Sequence, residues 1–131
     1  MPPARLGLGQ LTNSLGADVA LNNTANYFDG PSVAQGSTGT WFGTGTVTLT
    51  DSGGAQNFYC KLWDGTTVIG SGNAVSAAAG ARQTISISGF LASPAGNIRI
   101  SCRDVGATTG TMEFNRTGNS KDSTITVFRI N

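Results

Sequence analysis

Histidine is absent from all 131 residues of this chain, and that absence narrows its chemistry more than any residue present does. Ser-His-Asp and Cys-His catalysis are excluded, as are metal sites built on imidazole. An enzyme made from this sequence would have to work with carboxylates. Asp29, Asp51, Asp64 and Asp104 lie at expected strand ends close to Gly or Ser. In such positions Asp serves turns by accepting backbone N–H groups. No spacing brings two of them together or raises the pKa of one, as a glycosidase-like pair requires. A calcium site from loop aspartates has no more support. The glycine run Gly43-Thr44-Gly45 is read as a strand bulge or turn, since no helix follows it to cradle a phosphate. Two cysteines without a CxxC or a histidine do not suit zinc. The expectation is a protein with no catalytic residue, no metal and no cofactor.

Binding chemistry has better candidates. Tyr59, Lys61 and Trp63 alternate on one face of an expected strand, opposite Phe58, Cys60 and Leu62, and Arg99 and Arg103 do the same opposite Ile98, Ile100 and Cys102. Were those two strands neighbours, an aromatic and basic surface would form, suited to a sugar or another protein; the plainer alternative is a solvated or subunit-facing sheet. Cys60 and Cys102 share the core faces of their strands, so both should be buried. They either pair as a disulfide, closing a loop that would stabilise by roughly 3 to 4 kcal/mol, or fill core space as small apolar side chains. Near the C-terminus Ile125 and Val127 follow one parity while Phe128 and Ile130 follow the other. A strand apolar on both faces marks either a bulge or a subunit interface through Phe128 and Ile130.

The elements that must carry these residues are strands. Between Thr40 and Asp51, Trp41, Val47 and Leu49 fall on one face with Gly43 and Gly45 between them, and threonines fill the other, over roughly 40 Å of extended chain. Asp51-Ser52-Gly53-Gly54 is expected to reverse the chain into a second strand carrying Phe58 to Trp63, as one hairpin. Asp64-Gly65 then predicts a type I′ turn into a third strand over 66–70. Further alternation predicts strands over 17–21, 33–35, 82–91, 98–103, 111–115 and 123–130, with Asp29-Gly30-Pro31 read as a turn by composition. The small-residue passage 70–81 is assigned to an edge strand and loop; a short helix over 74–81 competes, but flanking glycines argue against it. Residues 1–15 lack a clear period and read as an N-terminal arm, leaving 16–131 as the folded domain. The fold class is all-β: a two-sheet antiparallel β-sandwich, jelly-roll-like, with eight to ten strands. An immunoglobulin fold is disfavoured because Trp63 follows Cys60 almost directly.

Charged residues make up 11% of the chain, against about 25% in an average soluble protein. A net charge of +1 leaves no electrostatic footprint for nucleic acid or an anionic membrane. No stretch has the apolar continuity of a signal peptide or a membrane span. Few repulsive charges on long strands leave edges open to pairing, which points to assembly with partner subunits. The segments NNTANYFDGPSVAQGSTGTWF, FYCKLWDGTTVI and GNIRISCRD resemble a group of small proteins encoded in tailed-phage and prophage structural regions, a likeness running from Leu15 to Asn131. The resemblance implies a virion component, most simply a trimeric capsid-decoration or head-fibre protein on the particle surface. Residues 1–15 would then grip other virion proteins. It defines no functional residue. The rival expectation is a carbohydrate-binding module, at a tail tip or in an adhesin, using Tyr59 and Trp63 as stacking platforms.

Overall fold

The computed structural model describes residues 9–131. Ten strands run in order: β1 Gln10–Ser14, β2 Val19–Leu21, β3 Phe28–Val33, β4 Thr40–Asp51, β5 Gln56–Trp63, β6 Val68–Ser76, β7 Arg82–Ala92, β8 Ile98–Asp104, β9 Gly110–Glu113 and β10 Thr124–Arg129. No helix occurs among the described residues. All pairings are antiparallel, and the strands form two sheets, so the chain is the two-sheet β-sandwich that its alternation predicts.

β4 is the axis of the six-stranded sheet A. Its strict alternation buries Trp41, Gly43, Gly45, Val47, Leu49 and Asp51 and turns the threonines outward. β7 pairs along one side from Thr40 to Thr50, while β10 and then β9 share the other side, extended by β1 and β2. Sheet B has the order β3-β8-β5-β6. Between the sheets, Val47, Leu49, Ile85, Ile87, Met112, Ile125 and Val127 meet Phe58, Leu62, Ile98 and Ile100. Removing this apolar surface from water is the main favourable contribution to folding. A Cβ on Gly45 would stand 2.9 Å from Thr124 O, and one on Gly30 would stand 2.9 Å from Ile100 O and collide with Met112. At these two points only glycine fits.

Four local expectations are corrected. The turn after Asp51 does not close a hairpin, because β4 and β5 belong to different sheets; it carries the chain across the sandwich. Glycine-rich turns mark a reversal but not which sheet receives the next strand. Asp29-Gly30-Pro31 is no turn either: β3 runs through it with a register shift between Asp29 and Ser32, a bulge on an edge strand, where proline is tolerated. Gly43 and Gly45 are regular ladder positions of β4 and not a bulge. At the β5–β6 hairpin Gly65 has φ +92° but Asp64 is not left-handed, so the loop is not type I′. Asp64 Oδ1 instead accepts the N–H groups of Thr66 and Thr67, at 2.9 and 2.7 Å.

The expected arm divides. Residues 1–8 lie outside the described residues, whereas Gln10–Ser14 form β1 on the edge of sheet A. Its side chains are exposed apart from half-buried Ser14, and it is held by backbone pairing to β10 and by hydroxyl bonds, Thr12 to Thr126 at 3.0 Å and Ser14 to Thr124 at 2.7 Å. A strand attached this way leaves no apolar period in the sequence.

Candidate functional site

β8 lies at the centre of sheet B with β5 beside it, so the two sets of alternating side chains meet on one outer face. Tyr59 stands opposite Arg103, Lys61 opposite Ser101, and Trp63 opposite Arg99. On the far side of β8, Asp29 stands opposite Ser101. Cations and rings alternate across this surface. Lys61 Nζ sits 3.6 Å from the Trp63 ring centroid and 4.1 Å from that of Tyr27. The Arg103 guanidinium carbon is 5.4 Å from the Tyr59 ring and 5.6 Å from Tyr27, and that of Arg99 is 5.3 Å from Trp63. Each contact lies within the range where a ring quadrupole attracts a cation, worth about 0.5 to 2 kcal/mol depending on exposure.

Polar bonds fix the edges of the cluster. Trp63 Nε1 donates to Ser101 Oγ at 2.8 Å, and Ser101 Oγ donates to Asp29 Oδ1 at 2.7 Å. Arg99 Nε lies 3.3 Å from the same carboxylate oxygen, an ion-pair distance without hydrogen-bond alignment. Among the described residues neither Lys61 nor Arg103 forms a salt bridge. Tyr59 remains 38% exposed and borders a shallow depression of about 530 Å³, lined also by Tyr27, Ser71, Gly72 and Asn73. Ser71 and Asn73 come from β6, in register with Lys61 and Tyr59. The sequence reading missed Tyr27, Ser71 and Asn73. Tyr27 precedes a segment read as a turn, and β6 has too few apolar residues to reveal its outward face.

Cys60 and Cys102 stand directly opposite each other beneath this face, and their sulfurs are joined. The bond links β5 to β8 within one sheet and closes a separation of 42 residues. Phe128 lies elsewhere, on the outer face of sheet A, and Ile130 follows the end of β10, its N–H bonded to Thr40 O; they are 37% and 47% exposed. Phe128 pairs with Phe42, which pairs with Phe90, and the Phe42 and Phe90 rings are 4.9 Å apart, so three aromatics form a row across β10, β4 and β7. Phe42 and Phe90 escaped the sequence reading because each is a lone aromatic on a face otherwise filled by Thr and Ser.

The aspartates are not all solitary. Asp51 and Asp104, at the ends of β4 and β8, are fully buried beside each other, and Oδ2 of each has no hydrogen-bond partner unless one carboxyl keeps its proton and donates to the other. Burial, with the hydrogen bond and negative charge of Asp51 added, pushes Asp104 up to about 6. Asp51 also meets the burial penalty, but hydrogen bonds from Asp104, Thr109 and the Gly53 N–H outweigh it and hold this carboxyl below its ordinary value. Both still serve turns as the sequence suggests: Asp51 Oδ1 accepts the Gly53 N–H at 2.6 Å, and Asp104 Oδ1 accepts those of Gly106 and Ala107 at 3.2 and 3.1 Å. With both side chains sealed from solvent the pair does not face a substrate.

No family model matches the chain, and no curated protein matches it in sequence. Solved structures similar to it include Eiger TNF from S. frugiperda, with a TM-score of 0.52 at 10% identity over 95% of this chain and 93% of that one. PRD1 vertex protein P5 has a TM-score of 0.46 at 16% identity, covering 95% of this chain and 96% of its own. The C-terminal CBM6 of LamC, a marine laminarinase from Zobellia galactanivorans, has a TM-score of 0.44 at 11% identity, covering 92% and 100%. At these identities the likeness is one of fold, the β-sandwich.

Proposed function

We propose that the chain is a non-enzymatic structural protein of a bacteriophage particle, one subunit of a homotrimeric capsid-decoration or head-fibre protein displayed on the particle surface. The particle setting rests on the resemblance of its segments to proteins of tailed-phage structural regions, whose small jelly-roll modules often form trimers. The observation that carries self-association is the row Phe90, Phe42 and Phe128 on the outer face of sheet A, with Ile130 exposed just beyond the end of β10. Aromatic side chains contribute strongly to interfaces, and a second copy of this chain would take the row out of water. Residues 1–15 are the segment assigned to docking on neighbouring virion proteins. Light scattering on the purified protein tests the assembly, with a trimer mass expected, and cryo-EM of the particle tests the location. A stable monomer at micromolar concentration would overturn the assembly.

A second reading, a carbohydrate-binding module, is supported by the outer face of sheet B. There Tyr59 stays accessible beside hydrogen-bonding groups of Ser71 and Asn73, the combination of ring and polar groups that sugars require. In that reading Trp63, with Lys61 over its ring, is a buttress more than an open platform.

A further inference from the structure

We infer that the outer face of sheet B binds an acidic saccharide, a sugar chain carrying carboxylates, with Lys61 and Arg103 as its anion-binding cations and Tyr59 as its ring platform. This rests on the carbohydrate-binding reading above and adds the charge of the ligand.

Charge arrangement is the first support. Lys61 and Arg103 both lie against the Tyr27 ring, at 4.1 and 5.6 Å from its centroid, with no carboxylate salt-bridged to either among the described residues. A ring quadrupole holds a cation in place without neutralising it, so its full charge stays available to an external anion. Arg99 differs, because Asp29 lies at ion-pair distance from it. Backbone carbonyl contact fixes Arg103 further: its Nη1 donates to Thr24 O at 3.3 Å, while its buried Nε has no protein acceptor. Neither cation lines the depression itself; Lys61 lies against Tyr27, and Arg103 against Tyr27 and Tyr59, the two rings that do line it, so the two oriented and unneutralised charges border the concavity through those rings.

Shape and polar lining support a sugar over other anions. The depression of about 530 Å³ presents the Tyr59 and Tyr27 rings together with the Ser71 hydroxyl and the Asn73 amide. Hydroxyl and amide groups pair with sugar hydroxyls, and an aromatic face accepts the apolar face of a pyranose ring. A nucleic acid strand is less well served. Phosphate tracking needs a run of cations along a groove, and the whole chain has a net charge of only +1.

The test is calorimetric titration of the full oxidised chain with oligogalacturonate, oligoalginate and oligosialic acid, each beside its methyl ester, which keeps the sugar and removes the charge. At least one acid should bind about tenfold or more tightly than its ester, and the preference should shrink as salt rises, since exposed charges are screened. Lys61→Gln and Arg103→Gln should each reduce that preference while leaving residual ester binding, and Tyr59→Ala should weaken acid and ester together. Should a variant fail to fold, the acid, ester and salt comparisons on the unaltered protein still decide. Equal binding of acid and ester would overturn the charge assignment and leave the carbohydrate-binding reading standing. No binding of any saccharide would remove both. Tighter binding of a single-stranded oligonucleotide than of every acid would reassign the face to nucleic acid.

Discussion

Two buried carboxyls at 0% exposure are a liability unless one keeps its proton, and their surroundings divide the two roles, pushing Asp104 up and holding Asp51 down. Their titrations act on stability in opposite senses. Asp104, raised from 3.8 to about 6 by burial and by Asp51, contributes stability that is complete below its unfolded value and lost as pH rises through about 6. Asp51, held below 3.8 by hydrogen bonds that outweigh its burial, contributes stability present above that value and lost as pH falls. The pair therefore favours the fold most near pH 4, and its contribution declines as pH rises from there through about 6. With no histidine in the chain, few other groups titrate just above that window. The urea midpoint should decline from pH 5 to 8. Asp104→Asn should flatten the decline, because an amide donates to Asp51 at any pH, and should leave the variant more stable at pH 8 by on the order of 1 to 3 kcal/mol. An unchanged slope in the variant would mean that the pair does not titrate as one unit. The sequence disclosed the turn role of each aspartate, since that role is local. Their meeting was illegible, because 53 positions separate them and sheet order alone brings the ends of β4 and β8 together.

Strands with one buried face declare themselves; strands held by backbone and hydroxyl bonds do not. β4, β7 and β8 were read from Trp41, Val47 and Leu49, from Ile85, Ile87 and Leu91, and from Ile98, Ile100 and Cys102, all buried. Residues 10–14 read as part of an arm because the attachment of β1 exposes nearly every side chain, and the strand expected over 33–35 meets β3 only at Val33, because Gly30 and Pro31 suit a turn and an edge bulge equally. For the candidate site, adjacency of β5 and β8 was the missing fact, and it is non-local by nature. Close approach of the sheets gives a direct test of this packing. Gly45→Val should destabilise by about 1 to 3 kcal/mol or more, since the new side chain meets Ile100 and the Thr124 carbonyl in a core without space to yield. A urea midpoint equal to that of the unaltered protein would contradict it. The bond between Cys60 and Cys102 acts on the unfolded chain instead: for a separation of 42 residues its loss should cost roughly 4 kcal/mol in the chain-entropy account. Urea unfolding with and without reductant measures that cost. Intact mass, rising by one hydrogen per sulfur on reduction, checks that the bond is present in the isolated protein.

Low charge on long strands suggested edges in need of partner subunits, yet the sandwich covers part of its own edge. On one side Asn13 Nδ2 donates to Ser32 O at 2.8 Å, tying β1 to β3 across the two sheets. On the other, β6 and β7 approach so closely that a Cβ on Gly70 would stand 2.9 Å from Ser88 O. The case for assembly therefore moves from edges to faces, and to one face in particular. Sheet A carries the aromatic row and sheet B the cations and rings, so a subunit that self-associates through the first leaves the second outward. Phe90→Ser with Phe128→Ser should shift a trimer to monomer in light scattering without unfolding it, because both residues are exposed in the single chain. Attachment to the particle calls for a different cut. Deleting residues 1–8 leaves every strand of the described residues in place, whereas deleting 1–14 also removes β1 and uncovers the edge of β10. If the N-terminal segment is the docking element, the shorter deletion should abolish binding to stripped particles with the thermal midpoint unchanged. The longer one should abolish binding and lower the midpoint by several degrees, roughly what losing one exposed edge strand costs a domain of this size. Undiminished binding by the shorter deletion, together with loss by the longer, would instead make β1 and the β10 edge the docking surface, with attachment by strand addition.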